Sequence, residues 1–424
     1  MQQREHPDQQ FTGMSRRHFL GSAAAGVGLT VGAIPLLEAS EKRKKIEGTM
    51  PRVQKEMQKV ADAVLMLWLE GGPGNDDLWN PSKAGADFRG PFEPIQTSIP
   101  GYQMTELFPK TAQNMDKIAV VNSLYVSTSD HFRSSEEILR PDGKTTLATE
   151  IGQKKMAGGI PDPFFWLKGQ YQPDDAHKVD QQLRFNDDGN GKFERPPLPT
   201  ADVERLRDRS ELLKNIEKSS RFSINTQHLT PNEIQYAESR SSGINLFLSG
   251  GELMSSLNIP KDMEEDFGKN PLGRATASAL RFLESGSGFA TVHHSMENGW
   301  DRHDNVARFK PLAEPLDHII ATTIRYMREG RFKRNIVVVC MGEFARTPKT
   351  NSTGGRDHWA QGFGALFFGH GVKGKQVIGA AQKGAISDRP IAAEWTVGNT
   401  IRKIVGMPIP EAAPKRFIEE VVDV

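Results

Sequence analysis

Two stretches in the second half of this 424-residue chain, 297–303 and 341–359, carry side chains that suit a divalent metal. Their donors are Asp301, His303, Glu343, Asp357 and His358. Carboxylate oxygens and imidazole nitrogens are common ligands of the metals that activate water in hydrolases. The pattern therefore indicates a hydrolytic metal site.

An apolar run leads into the second of these stretches. Residues 335–340 carry no charge and are followed by Gly342 and Glu343, which places the carboxylate at the carboxyl end of a buried strand. Ligands bind at that edge in open α/β sheets. Cys340, the only cysteine of the chain, lies inside this run, so we expect a buried thiol rather than a nucleophile, and no internal disulfide.

The chain from residue 61 onward alternates strand and helix signals. Continuous apolar runs predict strands at 63–69, 118–121 and 364–369. Amphipathic periodicity predicts a helix over 311–330, and another helix is predicted around 391–405. This alternation predicts an α/β fold with a mostly parallel central sheet and helices on both faces.

The middle of the chain, about 168–260, is predicted to form a polar insertion or cap. Residues 168–200 are rich in Gly, Pro, Asp and Asn, which is typical of a long surface excursion, and 202–218 predict a charged helix. The sequence at 186–191 is similar to a calcium loop. Pro197 stands where the bidentate Glu of such a loop belongs, so no calcium site is predicted there.

The N-terminus carries a pattern typical of export. The sequence SRRHFL at 15–20 precedes an apolar, glycine-interrupted stretch at 21–37, as in a twin-arginine signal peptide. We therefore predict a signal peptide at 1–40, a basic juncture at 41–60 and one large domain at 61–424. The expected partner is the twin-arginine export machinery and the expected location is periplasmic or secreted. No stable membrane insertion is expected after cleavage.

Five short motifs resemble, in this order, a large family of uncharacterised bacterial proteins with twin-arginine signals, assigned to the sulfatase and alkaline phosphatase superfamily. They are GGP at 71–73 with Asp77 and Pro81, GWDRH at 299–303, GEFARTP at 342–348, GRDHW at 355–359 and GVKG at 371–374. The usual family motifs read GGPSHxDxFDPKP, GWDTH, GEFGRTP and GRDHW. The similarity covers nearly the whole chain after the signal and implies an alkaline-phosphatase-like α/β fold.

The resemblance implies one or two divalent metal ions, with zinc, manganese or calcium as candidates. Asp301 and His303 resemble paired ligands of one ion, and His358 resembles the last histidine of the family's site. Glu343 stands at a late-strand position that Asp usually holds. Two such ions would bind an anionic ester and activate a water or hydroxyl group, so the implied substrate is a small phosphate or sulfate ester.

The resemblance also implies residues around these ligands. Glu70, or the pair Asp76 and Asp77, supplies the carboxylate that follows the first strand, and His131 resembles another recurrent histidine. Gly74 stands where the family usually has Ser, so the hydroxyl of that loop is absent. Attack by water needs no such residue.

Several of these side chains have a structural alternative. Asp301 could be a capping residue, Asp357 could pair with its neighbour Arg356, and Glu343 could pair with Arg346. Arg346 is then either that partner or a clamp for the substrate anion, because a guanidinium matches phosphate and sulfate oxygens bidentately.

Two functions of different classes follow. The first is a metal-dependent hydrolase of a phosphate or sulfate ester, with Asp77, His131 and Arg346 as candidate catalytic residues. The second is a catalytically inactive binding or assembly protein on the same fold, which the altered first motif favours. The formal net charge of +1 gives no electrostatic reason to expect nucleic acid as a partner.

Overall fold

A mostly parallel sheet forms the centre of the protein. The structure, a computed structural model, describes residues 60–81, 88, 90–155, 162–167, 183–187, 193–194, 258–295, 299–382 and 385–424. The predicted export signal and the predicted helix at 202–218 lie outside these described residues.

The strands are named in chain order. The first eight are β1 (Ala63–Leu69), β2 (Pro94–Gln96), β3 (Gln103–Thr105), β4 (Ile118–Tyr125), β5 (Pro163–Leu167), β6 (Leu183–Asp187), β7 (Phe193–Glu194) and β8 (Phe289–His294). The next eight are β9 (Ile336–Met341), β10 (Ala345–Arg346), β11 (His358–Trp359), β12 (Gln361–Gly369), β13 (Gln376–Ile378), β14 (Ala380–Gln382), β15 (Ala385–Asp388) and β16 (Ile391–Ala392).

The helices of the described residues are numbered in the same way. They are α1 (Pro109–Gln113), α2 (His131–Leu139), α3 (Leu147–Lys155), α4 (Lys261–Phe267), α5 (Pro271–Ser285), α6 (Lys310–Arg328) and α7 (Ala393–Ile404). Within the described part of the chain, no helix combines the length and apolarity that crossing a membrane requires.

The central sheet has the strand order β13-β4-β12-β9-β1-β8-β5-β6-β7, with β16 also paired to β4. Its strands run parallel except for β12 and β7, which are antiparallel to their neighbours. Three two-stranded sheets, β2-β3, β10-β11 and β14-β15, lie outside it.

The sheet is covered on both faces, which explains its continuous apolar strands. Side chains at alternate positions of β1 belong to two separate hydrophobic cores. One core contains Leu65 and Leu67 together with residues of α4, α5 and α6, and the other contains Val64 and Met66 together with residues of α2, α3 and α7. The predicted α/β class, with a mostly parallel sheet and helices on both faces, is confirmed.

Two features of the sheet differ from the sequence predictions. The strand predicted at 364–369 is longer, and it runs against its neighbours β9 and β4. The stretch predicted as a polar surface excursion contributes β6 and β7 to the central sheet. Short edge strands of this kind carry too few apolar residues for a period-based prediction.

One edge of the sheet collects the candidate ligands. The carboxyl ends of the parallel strands β1, β4, β8 and β9 lie there, and each leads into a loop with acidic or histidine side chains. Because β12 is antiparallel, its amino end lies at the same edge, directly after β11. The edge opposite carries the amino ends of the parallel strands.

Cys340 is fully buried in β9, as predicted, and burial raises the pKa of its thiol. The thiol is therefore protonated and unreactive at neutral pH.

Asp162, just before β5, makes stability depend on pH. Its Oδ1 accepts hydrogen bonds from the backbone N–H groups of Gly288 (3.0 Å) and Phe289 (2.9 Å). Burial nevertheless raises the pKa of this carboxyl to about 7. Between pH 4 and 7 the folded protein holds a proton that the unfolded chain has lost, so stability falls as pH rises through this window and the loss is complete above it.

We expect Asp162→Asn to remove this pH dependence. The wild type should lose up to about 1.4 kcal/mol of stability per pH unit relative to the variant between pH 5 and 7. Urea denaturation of both proteins at pH 5, 6, 7 and 8 measures the difference, and other titrating groups cancel because both proteins share them. A difference that is constant with pH would contradict the assignment.

Candidate metal centre

Three histidines and one aspartate converge at the ligand edge of the sheet. His131, Asp301 and His358 offer ligand atoms that lie within 4.8 Å of one another. His358 Nε2 is 3.2 Å from His131 Nε2 and 3.0 Å from His303 Nε2. Asp301 Oδ1 lies 3.0 Å from His303 Nε2 and 3.2 Å from His358 Nε2.

Each imidazole is oriented by an oxygen acceptor on its other nitrogen. His131 Nδ1 faces Glu343 Oε1 at 2.6 Å, and His358 Nδ1 donates to the carbonyl of Ser129 at 2.9 Å. His303 Nδ1 is 2.9 Å from one oxygen of the exposed Asp357. When Nδ1 carries the proton, the Nε2 lone pairs of all three rings point into the same small volume.

This donor set fits a divalent metal of the zinc type. Lone pairs and a carboxylate at such short separations repel one another unless a cation lies among them. Four ligands around zinc at 2.0–2.1 Å stand about 3.3 Å apart, close to the separations seen here. Histidine ligands whose second nitrogen is held by a carboxylate or carbonyl are also the usual arrangement at such metals.

The pKa of His131 shows that the carboxylates of the cluster favour a positive charge at its centre. Burial lowers the pKa of His131, but its hydrogen bonds to Asp301 and Glu343 and the charges of those carboxylates outweigh burial and raise it to about 10. Without a metal ion, a proton on His131 supplies this positive charge. A metal ion that binds these nitrogens must therefore compete with protons.

Local structure places each ligand. Asp130 is the N-cap of α2, where its side chain accepts from the backbone N–H of Arg133 at 3.0 Å, and this fixes His131 at the first helical position. Gly71 has φ +106°, and a Cβ there would lie 2.2 Å from the backbone nitrogen of Asp301. Glycine is required at this position because the loop after β1 touches the loop that carries Asp301.

A tight turn brings Asp301 and His303, which are two residues apart in the sequence, to the same site. The backbone N–H of Arg302 donates to the carbonyl of Trp300 at 3.0 Å, and the Trp300 N–H donates to the carbonyl of Glu70 at 2.8 Å. The buried Trp300 ring packs on Phe309, with 5.2 Å between ring centroids. Asp301 and His303 therefore reach the same volume instead of opposite faces.

Arg346 positions Asp301. The ladder between β10 and β11 sets Arg346 opposite His358, and its guanidinium forms an ion pair with Asp301. Its N–H groups also face the carbonyls of Gly71, Gly72 and Arg356 and the ring of His303. With the side chain 1% exposed, no N–H remains for a substrate anion, so the structure does not support the clamp role, nor a pairing of Arg346 with Glu343.

Glu343 and Glu70 form a second group with His131. Their ligand atoms also lie within 4.8 Å of one another. Glu343 Oε1 accepts from the backbone N–H of Gly71 at 2.9 Å, whereas its buried Oε2 has no hydrogen-bond partner. Burial, and then the charge of Glu70, raise the pKa of Glu343. Glu70 Oε2 accepts from Trp68 Nε1 at 3.0 Å and lies 2.9 Å from His293 Nε2. A cation bound to Glu343 Oε2 would satisfy this atom, so the second group could also hold a metal ion.

Asp77 and Asp357 lie outside the two groups of candidate ligands found among the described residues. Asp77 is fully buried and pairs with Arg356 through both carboxylate oxygens, at 2.7 Å to Nε and 2.9 Å to Nη2. Within the described residues, the Asp77 carboxylate contacts Arg356 and none of the three histidines, so the structure does not support a catalytic role. Asp357 contacts His303 and not its neighbour Arg356.

Sequence reasoning missed the oxygen partners of the histidines. Ser129 contributes only its backbone carbonyl, which no residue type signals. His131, a predicted catalytic residue, belongs to both groups of candidate ligands. The buried His293, which contacts Glu70, carried no signal beyond its place at the end of a strand.

Comparison with known proteins places the chain in a family. Residues 61–157 and 166–398, more than half of the chain, match the family described as "Protein of unknown function (DUF1501)", and the chain belongs to it. No curated protein is similar enough in sequence to match.

Solved structures with a related arrangement share little sequence with the chain. Alkaline phosphatase from the Antarctic bacterium TAB5 is 11% identical, with a TM-score of 0.37, and the match covers 83% of this chain and 99% of that one. The PsFucS1 sulfatase from Pseudoalteromonas sp. is 10% identical, with a TM-score of 0.35 and coverage of 89% and 74%. The C-terminal periplasmic domain of EcEptC from Escherichia coli is 12% identical, with a TM-score of 0.34 and coverage of 84% and 86%. The function of this chain has to be inferred from its own residues.

Proposed function

We propose that this protein is a metal-dependent hydrolase of a phosphate or sulfate ester, a member of the sulfatase and alkaline phosphatase superfamily. The observation that carries the proposal is the convergence of three oriented imidazoles and Asp301 at the ligand edge of an α/β sheet. The ordered motifs of the sequence support the superfamily assignment.

The candidate ligands differ in solvent exposure, and this difference indicates the side from which a substrate would approach. The side chains of Asp301 and His131 are 6% and 12% exposed, whereas that of His303 is 48% exposed. Substrate therefore enters on the His303 side, and the buried ligands close the far side. A divalent ion held by these residues would polarise the ester and lower the pKa of water. Residues 71–77 contain no hydroxyl side chain, so water is the attacking group.

The first experiment is elemental mass spectrometry of the protein purified without chelators. We expect about one or two equivalents of a transition metal such as zinc or manganese, lost on dialysis against a strong chelator. The loaded protein is then screened against aryl phosphates and sulfates. Less than about a tenth of an equivalent after incubation with metals would overturn the metal site, and a loaded but inactive protein would overturn hydrolysis alone.

Gly74 favours a second candidate, a metal-binding protein without hydrolytic activity. A Cβ at this position would lie 2.9 Å from Asp77 Oδ2 and 3.2 Å from Arg346 Cβ. The site of the family's serine is thus closed by the buried pair of Asp77 and Arg356 rather than open to the histidines.

We therefore expect Gly74→Ser to destabilise the protein by about 1–3 kcal/mol through overpacking and to add no activity. Thermal melting and the ester screen of the variant measure both effects. A gain of hydrolysis with unchanged stability would show that a hydroxyl at this position does reach the site.

We also propose export through the twin-arginine route to the periplasm or beyond, on the basis of the sequence at 15–20. Replacing Arg16 and Arg17 by Lys should retain the protein in the cytoplasm of its host. Fractionation with an antibody to the folded domain tests this, and unchanged export would refute it.

A further inference from the structure

Arg184, the second residue of β6, pairs with Phe164 of β5 and has no acidic partner among the described residues. Its guanidinium lies 5.0 Å from the centroid of the Trp166 ring, and its Nε donates to the side-chain oxygen of Asn186 at 3.0 Å. No other contact of this side chain is found within the described residues. Burial lowers the pKa of Arg184.

The other arginines that stack on aromatic rings in the described part of the chain are neutralised. Each forms an ion pair with a carboxylate: Arg325 with Asp266, Arg331 with Asp262 and Asp266, Arg346 with Asp301, and Arg402 with Glu150. A partly buried guanidinium with only an amide partner keeps two terminal nitrogens for an anion from outside. Arg184 therefore differs from these four arginines, because its charge is not neutralised by a carboxylate of the described residues.

The platform under Arg184 is rigid. The Trp166 indole N–H donates to Ser295 Oγ at 3.1 Å, and this hydroxyl donates to the carbonyl of Leu167 at 2.7 Å. Trp166 is also 8% exposed, so the ring is held by packing on its other side. An arginine stacked on a fixed ring presents its planar fork in a defined orientation.

Strand register connects this platform to the metal centre. Trp166 pairs with His293 on β8, and His293 pairs with Trp68 on β1. Paired residues project from the same face of a sheet, and His293 contacts Glu70 on that face. Two strand spacings of about 4.8 Å separate β5 from β1, so the guanidinium lies on the order of 10 Å from the strand that leads into Glu70.

We propose that Arg184 is the anion-binding residue of a second substrate subsite, and that the substrate carries a second anionic group about 10–15 Å from the ester that is cleaved. This inference rests on the proposed function and narrows it to elongated substrates with at least two anionic groups. Arg184 then determines specificity through binding and takes no part in the cleavage step.

The test compares a disaccharide with sulfate on both rings and the same disaccharide with one sulfate. Calorimetry on the metal-loaded protein should show roughly 10- to 100-fold tighter binding of the disulfated probe, the effect of one charged hydrogen-bonded contact. Arg184→Met, which keeps an unbranched side chain over Trp166, should abolish that preference, and Arg184→Lys should restore part of it. Arg331→Met is the matched control, because Arg331 also stacks on a ring but is neutralised.

Binding and hydrolysis separate the two proposals. Hydrolysis of 4-nitrophenyl sulfate or phosphate, which have no second anion, should keep the same kcat and KM in Arg184→Met. Equal binding of both disaccharides by the wild type, no binding of either, or a preference retained in Arg184→Met would overturn the subsite. A protein that prefers the disulfated probe but hydrolyses no ester would retain the subsite and lose the proposed activity.

Discussion

His358→Ala should lower the bound metal to less than a tenth of an equivalent and abolish any ester hydrolysis. His358 Nε2 lies within 3.2 Å of Asp301 Oδ1 and of the Nε2 atoms of both other histidines, so its loss opens the centre of the ligand set. Loss of an outer partner of a metal ligand typically costs 10- to 100-fold in affinity, and loss of a ligand should exceed that range. Elemental analysis after dialysis, followed by titration with zinc, measures the effect.

The fold should survive this substitution. The His358 side chain is 29% exposed, and its backbone partner among the described residues is the carbonyl of Ser129, which water can solvate. His370→Ala is a suitable control, because His370 lies at the opposite end of β12. Full metal content in His358→Ala would show that the ion, if bound, is held elsewhere.

Asp77→Asn should cost about 3–5 kcal/mol of folding free energy, because it leaves a buried guanidinium without its counter-charge. Arg356 is 1% exposed and also donates to the carbonyls of Phe88 (2.8 Å) and Thr347 (3.0 Å), so it cannot reach water when the carboxylate is removed. The pair joins the loop after β1 to the loop before β11. Urea denaturation measures the loss.

The same variant separates a structural from a catalytic Asp77. If the residue is structural, kcat of the folded fraction should change by less than about threefold, whereas a catalytic carboxylate would be lost with stability intact. Asp116→Asn provides the control, since Asp116 is exposed and such surface changes usually stay within about 0.5 kcal/mol. An Asp77→Asn protein that is as stable as the wild type but inactive would indicate that Asp77 is catalytic and not structural.

The sequence was sufficient for the strands that carry the site. The runs in β1 and β9 are long and apolar because both faces of the sheet are covered, and the parallel arrangement brings Glu70, Asp301 and Glu343 to one edge. The fold class followed from the alternation of such runs with amphipathic helices. Local periodicity carries this information directly.

The pairings inside the site could not be predicted in the same way. His358 reaches the edge only because β12 is antiparallel, and the direction of a strand is not written in its periodicity. Arg346 has two carboxylates within its neighbourhood in sequence and space, and only the backbone path decides that it pairs with Asp301 and not Glu343. Asp77 was a candidate for chemistry because its counter-ion, Arg356, is distant in sequence.

The position of β1 in the sheet has a consequence for synthesis of the protein. Among the described strands, its partners are β8 and β9, which begin at Phe289 and Ile336. A nascent chain therefore holds this fully apolar strand unpaired while more than two hundred further residues are made, a period in which exposed strands favour aggregation. The central sheet can close only after release of most of the chain from the ribosome, so this protein should depend on chaperones during translation more than a protein whose neighbouring strands are consecutive.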